Sequence, residues 1–299
     1  MASSVNNIQI VPVNVAWKME QTETWDFTGL TKTSLNEKAF QFYSALNAAA
    51  HYVWFDGTGS GADPVISGFT AHEVTINATT TAAQIATATA AIVTAITGFD
   101  ASASGAIVTV KRTDVGETTE SFDAAGGDAS DIAYALTRRG RDMDLGLLQG
   151  DVECSFSPAN YMVTAHQTGL TPLAALNQGF ESLECTTVMQ ETQKSNLKDI
   201  YTIYGGVASG STSEVFGVGS ASQGKNMMVE AGRLVLKPVN ASDDTTNFNF
   251  MLAIPVPDSL VFSGENPRTL SITWQGFVDR DFNNKFNAIA IGDVFQDGL

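Results

Sequence analysis

The chain is short of cysteine, of basic residues and of long apolar runs, and each shortage removes a class of protein. Only two of its 299 residues are cysteines, Cys154 and Cys185. No CxxC pair exists, and a disulfide-dense secreted scaffold is excluded. Both cysteines fall in predicted strands on apolar faces, where two buried thiols are the expected state and a disulfide is the alternative. Lysine and arginine together number 16 against 32 acidic residues, a net charge of −16. That balance argues against a surface that grips nucleic acid, because phosphate contact needs clustered cations. It does not argue against DNA passing nearby, since an acidic wall repels a duplex over about 8 Å at physiological salt. An acidic surface that serves solubility alone is the plain alternative. No apolar stretch approaches the roughly 20 residues of a membrane helix. The N-terminal MASSVNNIQIVPVNVAW has no basic region followed by an apolar run, so no signal peptide is expected. Folding in a reducing cytosol is the expectation.

Catalytic signatures are missing too. Of the three histidines, His51, His72 and His166, none has a Cys, Asp or Glu at metal-ligand spacing. No GxSxG elbow occurs. The glycines of GTGSGADP (57–64) lack the Lys-Ser/Thr of a phosphate loop, and no helix pattern follows them, so they read as a turn. Asp142 and Asp144 lie among three arginines and read as an arginine-paired linker rather than a cation site. Glu184 alternates opposite to Glu181 and Glu191, so these carboxylates form no acid–base pair. Asn77-Ala-Thr79 and Asn240-Ala-Ser242 match glycosylation acceptors by chance, given no secretion signal. The sequence predicts no enzyme, no cofactor and no metal.

What is present is an alternating, turn-rich pattern. Hydrophobic residues make up 43% of the chain, enough for a substantial core, and 26 glycines accompany many Thr, Ser, Ala and Asn. The fold expected is mainly β: an antiparallel sandwich or barrel with short flanking helices, plus an inserted small α+β domain with one helix on an antiparallel sheet. Its parts are 1–32 (first part of the core), 33–126 (the insert) and 127–299 (the remainder).

Val11, Val13, Val15 and Trp17 share one strand face. In the insert, residues 40–43, 51–55 and 72–76 read as strands. Residues 80–97 carry Ile85, Thr89, Ile92, Val93 and Ile96 at helical spacing, with threonines to cap the start and Gly98 at the end. Further strands are expected at 107–110 and 118–122. Thr137 to Asp144 (TRRGRDMD) reads as the return linker.

Beyond Gly150, Asp151, Glu153 and Ser155 alternate with Val152, Cys154 and Phe156, one wet face and one core face. Residues 161–165 read as a strand, 171–179 as a short helix and 180–190 as a long strand. Leu197, Ile200, Tyr201 and Tyr204 mark an amphipathic helix over 196–204. Residues 205–225 form a Gly/Ser-rich loop whose length demands a reason. Three strands follow, around Leu234, Phe250 and Ile272.

Two stretches carry a resemblance. The first is GDVECSF (150–156), HQTGLTPLAALNQGFE (166–181) and TTVMQETQKSNLKDIY (186–201). The second is GRLVLKPVN (232–240) and FMLAIPVPDSLVFSGENPRTLSITWQGFVDRDFNN (250–284). Their order, with Gln167, Gly169, Thr171, Pro172, Glu191 and the Phe277-Val278-Asp279 end, resembles the tail tube (major tail) proteins of bacteriophages. Residues 33–126 resemble a module that recurs in phage virion proteins. The resemblance covers about half the chain. It implies a homo-oligomer of hexameric rings stacked into a tube, within a phage tail, joined to other tail proteins and passing genome DNA without specific binding. Edge strands would then be satisfied by neighbouring subunits.

In that setting the face with Asp151 and Glu153, or the one with Glu184, would line the lumen. Gly210, Ser211, Glu214 and Phe216 of the long loop, with the N-terminal segment, would make contacts between rings. The insert would lie outside the tube. Other readings are a capsid decoration or tail terminator, or a host-surface-binding module with Tyr52, Trp54 and Phe69 as an aromatic platform.

Overall fold

A single strand of 14 residues, β1 (Val13–Asp26), carries the chain from one compact unit into a second, which comprises residues 18–142 and 228–231. The first unit takes residues 1–17, 143–227 and 232–299. The computed structural model describes residues 12–76, 81–125, 128–164, 172–190, 194–204, 207–209, 214–216, 224, 226–239, 241, 244–262, 268–279 and 288–292. The unit containing the expected insert is thus wider than 33–126.

In that wider unit β1 is a central strand. One edge of Thr22–Asp26 pairs antiparallel with β6 (Ile107–Val115) and the other with β8 (Ala133–Arg138). β5 (Phe99–Ser104) continues the sheet beyond β6, and β9 (Arg141–Asp144) also pairs with β1. The expected linker over 137–144 is therefore mostly strand, the end of β8 and all of β9 with Arg139 and Gly140 between them. Its alternating burial, with Arg141 and Met143 in and Asp142 and Asp144 out, is what β pairing imposes on a charged sequence.

A second sheet runs β4 (Thr70–Thr75), β3 (Ala50–Asp56), β2 (Ala39–Tyr43), β7 (Phe122–Asp123). Its β3–β4 pair is parallel, with Val53 opposite His72; the pairs β2–β3 and β2–β7 are antiparallel. A short helix, α1 (Lys32–Leu35), precedes β2.

The long helix of this unit is α2 (Ala82–Thr94). Thr81 caps it, its hydroxyl accepting from Gln84 N while Gln84 Oε1 accepts from Thr81 N, a reciprocal capping box. Ile85, Thr89 and Val93 bury along one stripe, and Thr89 satisfies its hydroxyl by donating to Ile85 O at 2.9 Å. Gly98, at φ +92°, turns the chain into β5 where a side chain would be strained. The helix packs with Trp25, Phe27, Phe40, Phe42, Phe55 and Val108 into one core. Trp25 and Phe40 meet edge to face at 4.7 Å, a geometry that adds about 0.5–1.5 kcal/mol to plain burial.

The other unit is an antiparallel sheet. Its order is β10 (Glu153–Thr164), β11 (Pro172–Met189), β16 (Thr269–Phe277), β15 (Phe248–Val261), β14 (Gly232–Pro238), then the start of β1, where Val239 N donates to Pro12 O at 2.8 Å. β17 (Ile289–Ile291) pairs with the start of β15. Trp17 and Trp274 meet at 5.7 Å, both fully buried, and Leu183, Cys185, Leu252 and Ile272 are buried in the same unit. Both indoles are satisfied: Trp17 Nε1 donates to Ala253 O at 3.2 Å and Trp274 Nε1 to Thr187 Oγ1 at 2.9 Å. Helix α3 (Lys194–Thr202) buries Ile200, as its periodicity requires, with Ile203 just beyond it. Tyr204 then donates to Pro255 O at 2.6 Å.

Two further expectations are corrected here. Residues 172–179 are not a helix but the first part of β11, with Leu176 opposite Tyr161 and Asn177 opposite Asn160. Pro172 opens the strand rather than a helical turn, and Gly179, at φ +102°, sits at a bulge rather than a helix end. Pairing along β10 overrides the helical preference of the Leu-Ala-Ala-Leu run. Secondly, the stretch 205–225 is not all loop. It contains a hairpin of β12 (Val207–Ser209) and β13 (Glu214–Phe216).

Candidate functional site

Three strands of the β10–β11–β16 sheet build one polar face. Alternation along β10 puts Glu153 and Ser155 on the side opposite Cys154 and Phe156. The register sets Ser155 against Glu184 and Glu153 against Thr186. Across the next pair Glu184 faces Gln275, Thr186 faces Thr273 and Val188 faces Ser271. The intervening residues Leu183, Cys185, Thr187, Met189, Leu270, Ile272 and Trp274 are all buried. The sheet is therefore wet on one side and packed on the other, and Glu153 and Glu184 occupy the same wet side. Sequence reading had assigned them to alternative faces; only the β10–β11 register brings them together. Among Glu153, Ser155, Glu184, Thr186, Thr273 and Gln275 there is no cation. Asp151 lies exposed just before the strand.

Beyond this face the same two strands run on as a ribbon. Among the described residues β16 pairs with β11 only from Glu184 onward, and residues 172–183 of β11 pair with β10 alone. The ribbon is bulged between Ser157 and Pro158, between Ala159 and Asn160, and between Val163 and Thr164, which increases its twist. Apolar side chains stand exposed on both of its sides: Tyr161 (56%) with Leu176 (56%) opposite, and Met162 (52%) on the other side. Phe180 is 49% exposed nearer the base. At the base Phe156 stacks on Phe250 at 5.9 Å. Among the described residues β10 pairs only with β11, so its outer edge offers a row of backbone donors and acceptors. Pro158 sits in this edge strand, a place proline tolerates.

The expected ring-contact residues fall differently. Gly210 and Ser211 lie outside the described residues, as do the N-terminal segment 1–11, the turn over 166–171, Glu191, Asn77 and Asn240. Glu214 and Phe216 belong to β13, paired with Ser209 and Val207.

Elsewhere the geometry disposes of several chemical readings. The Asp56 carboxylate accepts the N–H groups of Thr58, Gly59 and Gly61 at 2.8–3.0 Å. Burial works to raise its pKa, but these bonds outweigh it and hold the carboxyl below its ordinary value. The loop donors a phosphate would need already serve Asp56. Tyr52 and Trp54 are buried, and Tyr52 donates to Asp63 at 2.5 Å, so they form no open glycan platform. Burial, with that bond, pushes the Tyr52 hydroxyl up to about 12.

Asp142 pairs with Lys18 at 3.4 Å rather than with an arginine, while Arg139 and Arg141 both reach Glu230, at 3.1 and 2.5 Å. Sequence reading missed the contact of His51 Nδ1 with His72 Nε2 at 3.1 Å, because it depends on the parallel β3–β4 register. Among the described residues no group of three or more His, Cys, Asp or Glu side chains could hold a metal ion. None of the described helices is long and apolar enough to cross a membrane. No family model matches this chain, and no curated protein matches it.

Proposed function

We propose that this protein is a structural subunit of a bacteriophage tail tube, assembling as stacked hexameric rings that form a conduit for genome DNA. One observation carries the reading: a sheet face with two carboxylates, and no cation among its six named side chains, continues on the same two strands into a ribbon with apolar side chains exposed on both sides. A soluble monomer has no use for such a ribbon, and a neighbouring copy does. The open edge of β10 pairs with a strand of the next subunit, which closes the sheets into a barrel and removes the edge. Ribbon residues Tyr161, Met162 and Leu176 bury against adjacent copies. The face with Glu153 and Glu184 then lines the lumen. Its carboxylates repel phosphate within about 8 Å, the reach that matters in a narrow channel, and DNA slides without binding. The unit built from residues 18–142 lies on the exterior, since a folded unit in the lumen would block it.

Negative-stain electron microscopy of the purified protein over a range of concentrations tests this. Hollow tubes or stacked rings wide enough for a duplex are expected. Closed rings that never stack would instead indicate a tail terminator. Monomers at every concentration, also when seeded with sheared phage tails, would overturn the proposal.

A further inference from the structure

The two cysteines of the chain, 31 positions apart, face each other directly across the base of the ribbon. Cys154 of β10 is the register partner of Cys185 of β11, and their Sγ atoms stand 2.8 Å apart. Both are free thiols. Directly opposed residues of an antiparallel pair have Cα atoms about 4.5–5.5 Å apart, within the span a disulfide bridges. The two thiols differ in access: Cys154 is half-buried, whereas Cys185 is buried beside its other register partner, Trp274.

We propose that Cys154 and Cys185 close a cross-strand disulfide by exchange with a low-molecular-weight disulfide such as oxidised glutathione, locking the ribbon to the sheet. The accessible Cys154 thiolate attacks the glutathione disulfide, forming a mixed disulfide and expelling one glutathione thiolate. The Cys185 sulfur then attacks Cys154 Sγ, forming the protein disulfide and expelling the second. Two protein thiols are oxidised by two electrons, one glutathione disulfide is reduced to two thiols, and the two protons lost by the cysteines pass to them. The order of attack agrees with the acidity of the two groups. The hydrogen bond between the two thiols holds Cys154 below its ordinary value, whereas that same bond, with burial, pushes Cys185 far up.

The bridge lies one residue pair inside the point where β11 loses its β16 partner, so it ties the two ribbon strands together at their foot. A chain folded in a reducing compartment would carry free thiols there and acquire the bridge on reaching an oxidising one. This inference does not rest on the tail-tube reading, since thiol chemistry tests it whatever the chain assembles into.

The test uses the full-length reduced protein, incubated folded with oxidised glutathione and then denatured for thiol titration. The titre should fall from two to none, the intact mass should fall by two hydrogens, and one proteolytic fragment should join both cysteines. Amide exchange over 158–164 and 172–180 should slow in the oxidised form. Cys185→Ser should stop at a glutathione adduct on Cys154, and Cys154→Ser should leave Cys185 unmodified while folded. Persistence of both thiols, a stable adduct on Cys154 of the unmutated protein, or bridges only between molecules would each overturn the proposal.

Discussion

Arg112 and Glu23 form an ion pair, Nη2 to Oε1 3.2 Å, with both side chains withdrawn from solvent. The Glu23 carboxylate also accepts from Gln21 Nε2 at 2.8 Å and from the Ser121 hydroxyl at 2.5 Å, while Arg112 Nε donates to Tyr43 O at 3.2 Å. The pair ties β1 to β6 and, through the Tyr43 carbonyl, both to the end of β2. Removing one partner leaves a charge buried without its counterion, which costs about 3–5 kcal/mol. Glu23→Ala and Arg112→Ala should each lower the unfolding free energy by that amount, read as a fall in the urea midpoint. The double change Glu23→Leu with Arg112→Met should cost less than either, as the three unfolding free energies compared directly will show.

Gly140 lies between β8 and β9, where a Cβ would stand 1.8 Å from the Gly116 carbonyl oxygen. Both are backbone positions with little room to give. Gly140→Ala should therefore destabilise by more than the about 1–3 kcal/mol of ordinary overpacking. Thermal melting checks it. An unchanged melting temperature would mean the two backbone segments are not in contact.

Stability should fall on the acid side through His51 and His72. Burial, and then the charge of His72, hold His51 below its ordinary value; burial does the same for His72. In the unfolded chain both titrate near about pH 6.5. Below that value the unfolded state takes up more protons than the folded state. The stabilisation is thus full above about pH 6.5 and is lost as pH falls through the lower folded values. Urea midpoints measured against pH should show this limb, and His72→Asn should flatten it.

The ribbon prediction separates assembly from folding. Tyr161→Ser with Leu176→Ser changes exposed side chains only, so the unfolding free energy should move by no more than about 0.5 kcal/mol. Tube formation, read by electron microscopy or sedimentation, should be lost. Normal tubes from the double variant would remove the ribbon from the interface.

Reversing charge on the wet face tests its proposed place in a lumen. Glu153→Lys with Glu184→Lys should leave melting unchanged, because both carboxylates are at least partly exposed. Tubes made of this variant should retain linear duplex DNA at low salt and release it as salt rises, as phosphate contacts do. Tubes of either form that ignore DNA would place this face elsewhere.

Much of this architecture was legible locally. Ile85, Thr89 and Val93 announced the helix that buries them, and the alternation of Leu270, Ile272 and Trp274 announced the strand whose inner face they form. The mainly β character followed from such periodicities. What escaped was set by distant partners. Arg141 and Asp142 read as linker because nothing in that charged run shows that β1 lies alongside it. Leu173 to Leu176 read as helix because their spacing suits either state until β10 is present to pair with them.

The sequence by itself determined which side of each strand is polar, because alternation and the cost of burying charge are local. It also determined that the chain has few cations to offer nucleic acid. Only the tertiary structure decided that Glu153 and Glu184 share one face, that Cys154 meets Cys185, and that Tyr161 and Leu176 project together from a ribbon. Those facts depend on register between distant segments. A slip of one residue would send each side chain to the opposite face, and no local pattern across such a separation specifies it.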